Sequence, residues 1–297
     1  MNNFDLKSYL DEKRKLVEET LEKLLPSEKD WPSRLHESML YSIRAGGKRL
    51  RPILAIAACE ACGANPDRVM PVAAALEMIH TYSLIHDDLP AMDDDALRRG
   101  KPTNHKVYGE AVAILAGDAL LTEAFRIMTR YRHPDVSPVA LVEVIELIAE
   151  ASGSKGMAGG QVVDLESEDK MIDLPSLERL HQHKTGRLIR VSVEAGARLA
   201  GASPSQVEAL GLYGEKIGLA FQIADDVLDI EGGEEIGKDV GSDVANHKST
   251  YPSLMGLEAS KEKAKLLVKE AIQLLDSFDA KADPLREIAR YVVNRKN

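Results

Sequence analysis

The stretch from Pro66 to about Asp88 is apolar on nearly every side, rich in Ala and Leu, and runs straight into a cluster of acids. A segment with apolar residues all round reads as a helix buried at the centre of its fold. This one ends His86-Asp87-Asp88-Leu89-Pro90-Ala91-Met92-Asp93-Asp94-Asp95, with Leu97-Arg98-Arg99-Gly100 close behind. A second segment, Pro204 to Glu231, repeats the plan and carries Gln222-Ile223-Ala224-Asp225-Asp226-Val227-Leu228-Asp229 near its end. Apolar flanks turn both sets of carboxylates inward. There they repel one another and lose hydration, so they need cations between them. Oxygen-only donors suit a hard ion such as Mg²⁺, which takes few protein carboxylates and fills its shell with phosphate oxygens. The nearby arginines then read as partners for those phosphates. A solvated acidic face would explain one such cluster, but it explains two less well.

The remaining pattern is helical. Asp5 to Leu25, Ser33 to Ala45, Pro52 to Cys62, Val107 to Arg132, Val136 to Ser152 and Pro175 to Ala200 all show helical spacing. Lys261 to Phe278 and Pro284 to Val293 close the chain. No convincing period-two strand, linker or low-complexity tract interrupts them. Aromatic residues are 4% of the chain against 44% hydrophobic, so Ala and Leu build much of the core, which favours helix over sheet. The expectation is an all-α fold: one domain over residues 1–297, a bundle of ten or more helices around a central substrate cavity.

A net charge of −10 argues against a nucleic-acid partner or an anionic membrane surface. Basic residues nonetheless cluster, at Lys48-Arg49-Leu50-Arg51, at Arg98-Arg99-Gly100-Lys101, and at Lys184, Arg187 and Arg190. Local cations in an acidic chain suggest discrete anion sites. The two cysteines, Cys59 and Cys62, lie in an Ala-rich helical stretch without a second ligand pair, and read as reduced core thiols. The acidic and basic N-terminus does not look like a signal peptide, and no run of about 18 uninterrupted apolar residues would span a membrane. A cytoplasmic location is expected.

Spacing says more about the acids. Asp225 and Asp229 lie about 40° apart on one helical face, and Gln222 shares it. Asp87 and Asp93 would lie about 240° apart around a straight helix. Pro90 disturbs the preceding turn, so the helix should break near Leu89-Pro90 and return Asp93 to the side of Asp87. His80 sits two turns deeper on the face of Asp87, either as an ordinary core histidine or as part of the site. Carboxylates at the mouth and apolar walls below suit an allylic diphosphate, whose leaving group the metals would stabilise.

The segment from Ser83 through Asp93 to Leu97-Arg98-Arg99-Gly100-Lys101-Pro102-Thr103 resembles the first aspartate-rich motif of bacterial trans-polyprenyl diphosphate synthases. Its two-residue insertion is similar to that of bacterial farnesyl diphosphate synthases and plant-type geranylgeranyl diphosphate synthases. Phe221 to Asp229 resembles the second motif. Gly46 to Pro52, Gly156 to Gln161, Lys184-Thr185-Gly186, and Gly237 through Lys248 to Pro252 match in order, covering nearly the whole chain. The resemblance implies that Asp87, Asp88 and Asp93 hold two Mg²⁺ on the allylic diphosphate and that Asp225, with Asp226 and Asp229 nearby, holds a third. It implies that Arg98, Lys184, Gln222 and Lys238 hold that diphosphate, with Thr185 beside it and Lys248 supporting. Gly47, Lys48, Arg51, His80 and Arg99 would bind isopentenyl diphosphate. Released pyrophosphate would take the proton, and the fold would be an all-α homodimer.

Other readings compete. Glu77-x-x-His80 and Glu178-x-x-His181 have the spacing of a di-iron carboxylate bundle, which would leave the aspartate motifs unexplained. A terpene cyclase shares the first motif but has no use for an isopentenyl site. A non-catalytic partner subunit typically lacks one aspartate motif, and both are intact here. Chain length rests on Tyr82 and Ser83: helical geometry favours Ser83 as facing the tail, whereas the resemblance favours Tyr82 as the stopper. Farnesyl diphosphate is the expected product, with geranylgeranyl diphosphate the alternative.

Overall fold

The computed structural model describes residues 4–231 and 249–294. Helices α1 (Leu6–Leu24), α2 (Ser33–Ile43) and α3 (Leu50–Ala61) precede α4 (Met70–Asp87), the first acid-bearing helix. A two-residue hairpin, β1 (Leu97–Arg98) against β2 (Lys101–Pro102), leads into α5 (Asn104–Tyr108), α6 (Glu110–Arg130) and α7 (Pro138–Ser152). Then come α8 (Met157–Glu166), α9 (Leu174–His181), a π turn at Gln182–Gly186, and α10 (Arg187–Ala200). Helix α11 (Pro204–Glu231) carries the second acid cluster, and α12 (Tyr251–Met255), α13 (Leu257–Gln273) and α14 (Asp283–Asn294) follow. The all-α expectation holds.

Local departures have local causes. The helix expected over 107–132 is split at Gly109, whose φ of 85° favours glycine, into α5 and α6. The helix expected over 175–200 is one continuous path but widens into the π turn. Helix α8 is absent from the periodicity because Gly159-Gly160 dilutes a short segment of low helix propensity. The expected helix from Lys261 starts earlier, at Leu257 after Gly256, and ends earlier, at Gln273.

Two large apolar clusters organise the packing. One gathers Leu21 of α1, Met39 of α2, Leu76 and Ile79 of α4, Leu120 of α6 and Val144 of α7. The other gathers Ile217 of α11, Val268 of α13 and Ile288 of α14. Helices α3 and α10 contribute to both, through Ile56 and Leu188 on one side and Ile53 and Val193 on the other. The two acid-bearing helices therefore belong to different clusters and are joined through α3 and α10 rather than by broad contact with each other. No helix among the described residues is long and apolar enough to cross a membrane.

Candidate active site

Helix α4 ends at Asp87, and the chain then folds back as Pro90 requires. The Leu89 amide donates to the His86 carbonyl at 3.1 Å, and the Asp93 amide donates to the Asp87 carbonyl at 2.8 Å. Asp93 is thus returned to Asp87, as the spacing predicts. Burial, followed by the charges of Asp93 and Asp88, pushes the half-buried Asp87 carboxyl up to about 6, although Lys184 and Arg98 pull the other way. The influence of Lys184 also brings the π turn to the first acid cluster.

That raised value has a consequence with a definite sign. The folded state binds the Asp87 proton more tightly than the unfolded state, so this group contributes stability that is lost as pH rises from about 4 to about 6. Without divalent cations, Asp87→Asn should therefore melt above the wild type at pH 7.5, by on the order of 1–2 kcal/mol after allowing for solvent screening. Thermal scans at pH 7.5 and at pH 4.5 check this. A gap that does not shrink at the lower pH would contradict it.

Asp88 is buried, and its Oδ1 accepts from Arg98 Nε at 2.6 Å with Arg98 Nη2 at 2.5 Å. Arg98 also reaches Asp95 at 2.9 Å. The residues expected to take a metal and a diphosphate are here paired with each other. Binding both ligands requires them to exchange this pair for an ion and a phosphate.

On α11, Asp225 and Asp229 are both half-buried, and the charge of Asp225 acts on Arg51 of α3. The second acid cluster thus faces the first basic cluster. Asp226 is different: it is buried and accepts the Tyr251 backbone amide at 2.9 Å at the start of α12. Its His181 neighbour lies at 3.9 Å and is held neutral, pushed down to about 4 by burial. The Asp226 Oδ2 thus caps a neighbouring helix, while the residue sits directly beside the expected metal ligand Asp225. Gln222 Nε2 lies 3.4 Å from His181 Nδ1.

Lys184 pairs with Asp164 of α8 at 2.7 Å, and Thr185 beside it is buried. Glycines make this approach possible. A Cβ at Gly160 would lie 2.3 Å from the Lys184 amide, and one at Gly218 would lie 2.9 Å from Gly186 Cα. The π turn is therefore clasped between α8 and α11. Asp164 was missed in the sequence. Its signal was the spacing from Gln161, three residues earlier on the same helix.

The other anion cluster is built around the Gly46-Gly47-Lys48 loop. Arg99 donates to the Gly46 carbonyl, and a Cβ at Gly47 would lie 2.5 Å from the Arg99 guanidinium carbon. The Gly47 φ of 127° favours glycine, and a side chain there would have to displace the Arg99 head. Arg51 has no hydrogen bond or ion pair among the described residues, and its Nε is buried. Burial lowers the Arg51 guanidinium to about 10, still cationic at neutral pH. Burial and the charges of Arg51, Arg99, Arg98 and Arg49 hold His80 well below its ordinary range, so its imidazole is neutral. Lys238 and Lys248 lie outside the described residues.

The donor set fits Mg²⁺. It is carboxylate oxygen throughout, and the mutual repulsion at Asp87 is of the kind a cation relieves. Among the described residues, no group of three or more His, Cys, Asp or Glu side chains forms a metal cage by itself. An ion held here would complete its shell with phosphate and water. Iron ligation does not fit as well: Glu77 pairs with Arg49 at 2.8 Å, and Glu178 pairs with Lys263.

Residues 32–290 match the polyprenyl synthetase family. The chain is 48% identical to a farnesyl diphosphate synthase of Bacillus subtilis over 291 residues, covering 98% of each. It is 50% identical to a geranylgeranyl diphosphate synthase of Cyanophora paradoxa over 297 residues, covering 99% of this chain and 98% of the relative. Among solved structures, an FPP/GFPP synthase from Zymomonas mobilis superposes with a TM-score of 0.86 at 42% identity, covering 97% of this chain and 98% of that one. The all-α bundle is thus shared with that solved synthase. The chain belongs to the polyprenyl synthetase family.

Proposed function

We propose that this chain is a trans-prenyltransferase that condenses isopentenyl diphosphate head-to-tail with dimethylallyl or geranyl diphosphate, giving mainly farnesyl diphosphate. The observation that carries the reading is the convergence of Asp87, Asp93 and Lys184 at one anion site, with Asp225 facing Arg51 of the other. The whole chain, residues 1–297, acts as one catalytic unit in this reading. Asp87, Asp88, Asp93, Asp225, Asp226 and Asp229 are the proposed metal ligands, with Arg98, Lys184, Thr185 and Gln222 on the allylic diphosphate. Gly47, Lys48, Arg51, His80 and Arg99 bind isopentenyl diphosphate. Lys238 and Lys248 keep the allylic-side roles that the family resemblance implies.

When bound, up to three Mg²⁺ ions supply Lewis-acid stabilisation of the departing pyrophosphate. The cationic side chains Lys184 and Arg98 hold the same charge as the allylic carbon–oxygen bond breaks. Arg51, Arg99 and neutral His80 hold the isopentenyl diphosphate so that its double bond attacks the allylic carbon. A proton is then lost to the released pyrophosphate, because neutral His80 is sunk among cations that oppose its protonation.

Tyr82 supports the farnesyl product: it is half-buried, packs against the core and lies edge-on to His86 with ring centroids 5.8 Å apart. Geranylgeranyl diphosphate remains the second reading, favoured by the small Ser83 one residue nearer Asp87 and by the geranylgeranyl synthase relative. A homodimer and a cytoplasmic location complete the proposal. Exposed Val107, Ile114 and Leu115 on α5–α6, with Val139 and Val142 on α7, suit a second copy. The free thiols of Cys59 and Cys62 suit a reducing compartment. Incubation with isopentenyl diphosphate and each allylic primer, followed by chromatography of the dephosphorylated products, tests this reading. Farnesol as the main product is expected, and no elongation from any primer would overturn it.

A further inference from the structure

Glu77 lies on α4 one turn before His80 and is 1% exposed, while Arg49 sits at the head of α3 and is 3% exposed. Arg49 Nη1 donates to Glu77 Oε1 at 2.8 Å, its Nη2 donates to the Ile43 carbonyl, and its Nε lies 3.6 Å from Glu18. One guanidinium thus ties α4 to the end of α2 and to α1. Arg49 has a φ of 50°, a left-handed conformation uncommon for a residue with a side chain. Such a conformation persists when the surrounding contacts over-determine it, and the three contacts of the guanidinium do so here.

The position of this strained residue matters. It follows directly on Gly47 and Lys48 and precedes Arg51 by two residues. Gly47 in turn seats Arg99. The charge of Glu77 also acts on Arg51 and on Arg99, and its Oε2 is buried without a hydrogen-bond partner, as is Arg51 Nε. Buried polar atoms are ordinarily hydrogen-bonded, so these two mark a place where polar groups converge on one spot. Glu77 is thus a buried acid that offsets repulsion among guanidiniums held ready for an anion.

We propose that Arg49, clamped by Glu77, is a positioning residue that sets the isopentenyl diphosphate site without touching the substrate. The proposal rests on the prenyltransferase reading above. Both side chains are about 1% exposed, too deep to meet a ligand. They act through the Gly47-Lys48 loop and through the first turn of α3, which carries Arg51.

Arg49→Lys keeps the charge but loses the planar fork, so it cannot hold Glu77 and the Ile43 carbonyl together. The variant is assayed with isopentenyl and geranyl diphosphate varied in turn, beside its melting curve. The Michaelis constant for isopentenyl diphosphate should rise about tenfold or more, that for geranyl diphosphate should stay within about twofold, and kcat should stay within about threefold. Glu77→Asp, which keeps the charge but draws it back, should move the same constant by less. A lower melting temperature with both constants unchanged, or an equal rise in both, overturns the proposal by showing a purely structural pair. Loss of cooperative melting in both variants also overturns it. A wild type that fails to condense the substrates is a separate outcome, which removes the prenyltransferase reading and this proposal with it.

Discussion

Asp87→Ala and Asp225→Ala are each expected to lower turnover by about 10³-fold or more, because each removes metal-held stabilisation of charge that develops only as the allylic bond breaks. The two effects should be of similar size although the residues lie on different helices. Asp87 stands within the field of Lys184 and Arg98, and Asp225 within that of Arg51. Neither variant should unfold the protein. At Asp87 a burdened carboxylate is removed, and at Asp225 the half-buried side chain leaves the apolar packing of α11 in place. Turnover is measured at saturating substrates beside far-ultraviolet circular dichroism. Near-normal turnover in either variant would sink the assignment of that cluster. By contrast, Asp226→Ala should cost stability first, since it strips the cap from the buried Tyr251 amide.

Tyr82→Ala should change what is made rather than how fast. Tyr82 lies about 7.5 Å along the helix axis from Asp87, the direction in which the proposed reaction sends a growing tail. Its ring is half-buried, edge-on to His86 at 80°, and packed against the main core cluster. Removing it opens space one layer below the carboxylates. Ser83 is already small, and its hydroxyl is turned back onto the His80 carbonyl at 3.0 Å, so it offers little obstruction. The product should lengthen by at least one isoprene unit, read by chromatography of the dephosphorylated alcohols. If the wild type already makes mainly geranylgeranyl diphosphate, or if Tyr82→Ala leaves the distribution unchanged, the stopper assignment fails. The floor of the pocket would then come from another helix.

Much of the fold was legible because apolar periodicity and buried helices go together. The segments over α4 and α11 read as central from composition alone, and both are central. The return of Asp93 to Asp87 was legible because one proline at a known position forces it. Other features left no such trace. The π turn at Lys184 packs closely on Gly160 and Gly218, contacts between distant segments that no local propensity encodes. Asp226 could not be told from Asp225 by type, because only the fold reveals that Asp226 accepts the Tyr251 amide at a helix start. Arg49 and Arg51 look alike in Lys48-Arg49-Leu50-Arg51, yet one is a buried clamp and the other lies in the field of Glu77 and Asp225 with its Nε buried and without a hydrogen bond. Pattern thus located the candidate clusters, while the contacts within each cluster depended on which way each side chain turns.

The central claim is that the two acid clusters act together through Mg²⁺ on one allylic diphosphate. It is tested most directly by incorporation of labelled isopentenyl diphosphate, with geranyl diphosphate as primer, across a titration of free Mg²⁺. The account predicts incorporation into farnesyl diphosphate that is abolished by chelation, restored by added Mg²⁺, and lost at all Mg²⁺ concentrations in the Asp87→Ala, Asp225→Ala double variant. Incorporation that persists in excess chelator, or that survives in the double variant, would contradict it.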